Sequence, residues 1–134
     1  MGEASYEVIG EVARFRLTGE QALEDGVQQI ADAIVRTKES GIDKLLVDIT
    51  GITGVEPPGV NARLWLMGEW ARAGRSSVRA AIVVRPEFIE PDRFGVIAGM
   101  NAGFSSNVFE TEAQALDWLL GRRGRLPSRE TPSP

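Results

Sequence analysis

Asp48 and Glu56 flank the stretch of this chain where acid–base chemistry could be assembled, with the hydroxyls of Thr50 and Thr53 and the amide of Asn61 close by in sequence. Two carboxylates can share proton transfer if a fold brings them together. Asp48 also has a simpler use at a strand end, where its side chain caps the next turn. The chain contains no histidine and no cysteine. That removes the commonest near-neutral base and transition-metal ligand, and with them Ser–His and Cys–His catalysis, disulfides, zinc thiolates and iron–sulfur ligation. Any reaction would rest on Asp, Glu, Lys, Arg, Ser, Thr or Tyr6. The expectation is a chain that binds rather than catalyses, with no cofactor.

Other clusters read as structural. Glu87, Glu90 and Asp92 surround Pro86 and Pro91 and offer oxygen to a hard cation, but they match no calcium loop, and acids at a helix start suit its dipole. Gly95, Gly99 and Gly103 have no strand before them and no lysine among them, so neither phosphate-loop fingerprint is met. Ser76-Ser77 and Ser105-Ser106 have no activating base nearby in sequence. Trp65 and Trp70 lie five apart, which at about 100° per residue cannot be one narrow helical stripe. If Val60, Leu64, Met67 and Ala71 form the core face, Trp65 flanks it and Trp70 sits near its edge. The tryptophans then make either a wide buried face or an apolar patch for a second subunit or a lipid-like ligand. Trp118 is expected to pack.

These residues need elements to hold them. Tyr6, Val8 and Val12, Phe15, Leu17, broken at Gly10-Glu11 and interleaved with Arg14 and Arg16, predict a β-hairpin with one solvated face. Leu23, Val27, Ile30 and Ile34 predict an amphipathic helix over about Glu20–Ser40, closed by Gly41. Lys44–Ile49 reads as a strand buried on both faces, at the centre of the sheet. A loop through Gly51, Gly54, Pro57 and Pro58 leads to a second helix, ended by Gly74. Arg79–Val84 is a second buried strand, stopped by Arg85-Pro86. Phe88–Met100 predicts a third helix, Asn107–Phe109 a short strand, and Thr111 with Gln114 the capping box of a last helix carrying Ala115, Leu116, Leu119 and Leu120. The order ββαβαβαβα implies an α/β fold with a four- to five-stranded mixed sheet and about four helices.

Residues 1–120 are of a size for one domain, and 43% hydrophobic content suffices for one core. Arg122, Arg123, Arg125 and Arg129 with Pro127, Pro132 and Pro134 make 121–134 a basic, disordered tail. A net charge of −4 and a pI near 4.9 argue against nucleic acid or an anionic membrane surface as partner. Met1–Ser5 carries no secretory signal, and no apolar run approaches the roughly 20 residues of a membrane span, so a cytoplasmic location is expected.

That element order, with Leu45-Leu46-Val47-Asp48-Ile49 feeding a loop and then a helix at Gly59, resembles the STAS domains. The prototype is the sporulation anti-sigma-factor antagonist, and the resemblance covers roughly residues 5–120. Phe109-Glu110-Thr111-Glu112 running into Leu119 is similar to the ending of the SpoIIAA-like branch, which shares features with lipid-binding Sec14-type domains. In the phosphoregulated antagonists the corresponding loop carries Asp-Ser-Ser-Gly, and a kinase phosphorylates the serine. Here it reads Glu56-Pro57-Pro58-Gly59, with carboxylate and glycine kept and both hydroxyls gone. Proline fixes φ and lacks an N–H, which suits a rigid loop or a first helical turn.

The resemblance implies a regulatory module, dimeric, whose loop (Thr50, Thr53, Glu56, Pro57, Pro58, Gly59, Asn61) and following helix meet a protein partner or a second copy of the chain. The helix start also offers N–H groups to an anion or a partner carboxylate, while the two threonines could equally satisfy turn backbone. The rival is a carrier or sensor of a small apolar or lipid-like ligand, with Trp65, Met67, Trp70, Phe94 and Phe104 as pocket walls. A carrier needs a concave cavity, an interaction module only an exposed patch.

Overall fold

In a computed structural model of the chain, which describes residues 2–74, 77–89 and 105–121, the expected hairpin opens the fold. β1 (Glu3–Ile9) and β2 (Val12–Glu20) run antiparallel in unbroken register from Glu3↔Thr18 to Ile9↔Val12. Gly10 takes φ of 63° in the turn between them, a conformation that costs a residue without Cβ little. β1 begins at Glu3, three residues ahead of the first apolar signal at Tyr6, because polar residues on an exposed edge still pair through their backbone.

α1 (Leu23–Glu39) follows, with Val27, Ile30, Ala31 and Ile34 buried at helical spacing. It starts three residues later than the sequence pattern suggests, because Glu20 is still strand and pairs with Thr53. Gly41 closes the helix with φ of 77°. β3 (Lys44–Thr53), α2 (Val60–Gly74), β4 (Arg79–Val83), a short 3-10 turn at Pro86–Phe88, β5 (Ser105–Phe109) and α3 (Glu112–Leu119) complete the order. The Thr111 hydroxyl accepts from the Gln114 N–H at 3.2 Å, so the predicted cap of α3 forms.

The five strands lie in the order β1-β2-β3-β4-β5, with the hairpin antiparallel and every later pair parallel. Two covering layers result. Ala13, Phe15, Leu17, Leu45, Val47, Ala80 and Ile82 pack against α1 and α2. Val12, Leu46, Ala81 and Val83 point to the other face and pack against Ala115 and Leu119 of α3. β3 and β4 are therefore apolar on both faces, as the unbroken runs predict. Each fully buried Leu or Val there contributes about 1.5–3 kcal/mol.

One expectation needs correcting. β3 does not stop at Ile49 but runs to Thr53, so Thr50 and Thr53 belong to a strand rather than to the loop. Gly51, Ile52 and Thr53 stay in the sheet because Thr18, Gly19 and Glu20 extend alongside them. The helix expected over Phe88–Met100 falls mostly on 90–104, which lie outside the described residues, as does the tail beyond Gly121; just ahead of it Pro86–Phe88 form a 3-10 turn. Three α-helices are therefore present among the described residues where about four were expected.

Candidate functional site

The site grows from an irregularity in β3. Arg16 pairs with Asp48 and Thr18 with Gly51, so Ile49 and Thr50 together oppose the single residue Leu17. Such a bulge bends a strand and re-aims the side chains beyond it. Asp48 stabilises it, accepting from the Thr50 N–H at 3.0 Å and from the Thr50 hydroxyl at 2.8 Å. Arg85, just past β4, donates to the carbonyls of Thr50 at 3.1 Å and Ile52 at 2.6 Å. Its guanidinium also lies 5.2 Å from the centre of the Phe88 ring and donates to Glu87 at 2.9 Å. The Glu87 carboxyl is held below its ordinary value chiefly by that bond.

Beyond Thr53 the chain turns sharply. Thr53 C=O accepts from Gln21 N–H at 3.0 Å, and Gly54 takes φ of 84° with Gln21 and Glu20 close against it. Glu56, Pro57, Gly59 and Asn61 are exposed and Pro58 is half-buried. A Cβ at Gly59 would meet open space, so no crowding or left-handed φ demands glycine there. The first intrahelical bond of α2 runs from Arg63 N–H to Gly59 C=O at 2.9 Å.

α2 is rotated relative to the face assumed from its sequence. Leu66, Met67, Trp70, Ala71 and Gly74 are buried, whereas Val60, Leu64 and Trp65 are 54%, 47% and 41% exposed. Trp70 is the anchor: its indole N–H donates to the Val27 carbonyl of α1 at 3.1 Å in the interior. With Trp70 turned inward, Trp65 and Leu64 must turn out, because about 100° separates successive residues.

Between α1, α2, the bulged end of β3 and the Pro57-Pro58 loop lies a cleft of about 470 Å³. Its walls are mainly apolar, with Leu23, Val27, Ile52, Leu66, Met67 and Trp70 prominent, while Gln21, Arg63 and Glu87 add polar groups. Of the pocket residues expected from sequence, Met67 and Trp70 line it and Trp65 does not; Phe94 and Phe104 lie outside the described residues. Of the loop residues, Pro57 and Pro58 reach it, while Thr50, Thr53, Glu56, Gly59 and Asn61 are not among its walls.

The opposite end of Asp48 belongs to a charged cluster on the α3 face. Glu112 accepts from Arg14 at 3.3 Å and from Arg16 at 3.1 Å, and Arg14 also pairs with Glu7. Burial pushes the Asp48 carboxyl up, but the N–H and hydroxyl that Thr50 donates to it and the charge of Arg16 help to hold it below its ordinary value. Asp48 and Glu56, weighed as a carboxylate pair from sequence, part company here: Asp48 is tied into the bulge, and Glu56 is exposed in the loop. Among the described residues no group of three metal-ligating side chains occurs, and no helix is long and apolar enough to cross a membrane.

Sequence reasoning missed Arg85, read only as a strand stop, and the outward turn of Val60 and Leu64. An arginine directly after a buried strand, facing a neighbour rich in Thr and Gly, was the available signal for the first. Nothing in the apolar spacing of α2 distinguishes the two rotations, since five apolar residues crowd its first two turns.

No family model and no curated protein matches the chain. Solved structures do. An uncharacterised protein of the DUF3478 family with a SpoIIAA-like fold, from Shewanella loihica PV-4, matches over 88% of this chain and 93% of its own at 22% identity and a TM-score of 0.51. An anti-sigma factor antagonist from Mycobacterium paratuberculosis matches over 90% and 95% at 16% identity and a TM-score of 0.57. The chain has the SpoIIAA-like fold that its element order suggested.

Proposed function

We propose that this chain is a non-catalytic STAS-like regulatory module of the bacterial cytoplasm, binding a protein partner through the Gly54–Gly59 loop and the first turns of α2. The observation that carries the reading is the exposure of Val60, Leu64 and Trp65 beside that loop. Large apolar side chains left in water on a helix are typical of a surface that a partner covers, and Trp is enriched among binding anchors. The fold is shared with a protein described as an anti-sigma factor antagonist. Pro57 and Pro58 stand where that kind of loop would carry hydroxyls, so binding here proceeds without a phosphate switch on this loop. With Asp48 and Arg85 committed to the bulge, the residues best placed for chemistry serve structure instead.

Affinity capture from an extract of the source organism, with wild type and Trp65→Glu in parallel, tests the reading. A stoichiometric protein partner recovered with wild type and lost with Trp65→Glu is the expected result. Equal recovery by both proteins contradicts it, as does turnover of a generic ester, phosphate or nucleotide substrate that Asp48→Ala or Glu56→Ala abolishes.

The cleft favours a second reading, a carrier or sensor of a small apolar or lipid-like ligand. Its volume lies within the range of small-molecule sites and its walls are mainly apolar.

A further inference from the structure

Among the described residues β1 is one edge of the sheet, paired with β2 alone. The turn at Gly10-Glu11 leaves only two residues between Ile9 and Val12, so these two must exchange their own backbone bonds. By alternation Glu3, Ser5, Glu7 and Ile9 face β2 with their N–H and C=O groups, and those of Ala4, Tyr6 and Val8 face outward. Natural sheets guard such edges with charged side chains, lysine above all, with proline or with a bulge. β1 has no lysine, proline or bulge, its register with β2 is continuous, and of its two charges Glu7 is already paired with Arg14 of β2. Val8 and Ile9, at 50% and 53% exposure, are two of the few large apolar side chains left in water among the described residues.

We propose that β1 is the seam of a homodimer, pairing antiparallel with β1 of a second copy about a two-fold axis at Tyr6. A second copy fits because the strand can pair with itself along its whole length without setting like charges opposite each other, and the charge pattern then selects the register. With the axis at Tyr6 all seven residues pair: Ala4 meets Val8 of the partner subunit, Glu7 meets Ser5 of the partner subunit, and Glu3 meets Ile9 of the partner subunit. Moving the axis to Ser5 sets Glu3 against Glu7 of the partner subunit, and moving it to Glu7 sets that residue against its own copy. Like charges directly opposite destabilise a ladder. Axes at Ala4 or Val8 keep the outward-facing groups matched but shorten the ladder. The interface is isologous and closes on itself, joining the two sheets into one. It stands apart from the α2 surface, so either can fail alone.

The chain has no cysteine, so introduced thiols report the register directly. Ala4→Cys and Val8→Cys proteins are prepared separately and mixed. The mixture cross-links under mild oxidation, because the two positions oppose each other at a separation a disulfide spans. Neither protein cross-links alone, since identical positions are offset by four residues, about 13 Å along the strand. In sedimentation velocity the wild type and Trp65→Glu are dimers. Val8→Pro removes an outward N–H, leaves the hairpin bonds intact and is a monomer. Circular dichroism confirms that this variant is folded, and if it is not, the cross-linking pair decides alone. A monomeric wild type, a dimer that survives Val8→Pro, cross-linking by single variants, or a dimer lost only in Trp65→Glu each overturns the proposal. A different protein recovered on β1 by a monomeric chain does so as well.

Discussion

The two faces of the sheet are covered by different means. One carries two long helices, a large apolar cluster and a tryptophan whose N–H reaches across to the neighbouring helix. The other carries, among the described residues, a single helix of eight residues, a small apolar cluster and, where that cluster ends, ion pairs from Arg14 and Arg16 to Glu112. On this second face Arg79 lies over the Trp118 ring at 4.4 Å, and Phe109 packs against the same ring. The first face can leave a cleft open because its helices are anchored elsewhere. The second holds a short helix whose intrinsic stability is marginal by fixing its first residue with charge. The larger apolar cluster and the open cleft thus lie on the same side.

Truncating each tryptophan measures this asymmetry. Trp70→Ala is expected to cost about 3–5 kcal/mol in denaturant unfolding, because it empties the α1–α2 contact. Trp118→Ala, half-buried, is expected to cost about 1–2 kcal/mol. Equal losses would remove the distinction between the faces. Gly54→Ala is expected to cost about 1–2 kcal/mol through its left-handed φ and the close backbone of Gln21, whereas Gly59→Ala is expected to be neutral or to stabilise by about 0.4–1 kcal/mol. Thermal unfolding of the pair shows whether the loop's rigidity resides in its turn or in its glycines generally. Glu112→Gln is expected to cost about 1 kcal/mol, with the difference from wild type shrinking in high salt.

The smallest effect is a pH dependence. Asp48 is held below its ordinary 3.8, so its contribution is present above that value and is lost as the pH falls through the folded-state pKa. Acid titration of stability should therefore be flatter in Asp48→Asn than in wild type below about pH 4. An unchanged acid limb would remove Asp48 from the charged cluster.

How much was legible depended on which force fixed each feature. β3 and β4 were readable because burial on both faces leaves an unbroken apolar run, and the caps at Gly41 and Thr111 because they are local chemistry. The extension of β3 to Thr53 was not, since Gly51 and Thr53 are strand only because β2 runs beside them. The rotation of α2 was settled by Trp70 finding the Val27 carbonyl, a contact between residues 43 apart in sequence. Arg14 and Arg16 illustrate the middle case: their alternation predicted a polar stripe on the hairpin, but their partner Glu112, on the helix that packs against that face, lies nearly a hundred residues away. Of the candidate site, the loop was located from its prolines and glycines. The cleft was hidden, because it is made by elements that no local pattern connects.

Native mass spectrometry of the protein purified gently from its own host tests most directly the claim that the chain acts through protein contacts rather than as a carrier. The account predicts a species with no phosphate on its loop and no small molecule retained, either as a dimer or joined to a partner protein. A stoichiometric lipid-sized adduct, absent after Met67→Trp fills the cleft, would contradict it and make the carrier reading the function.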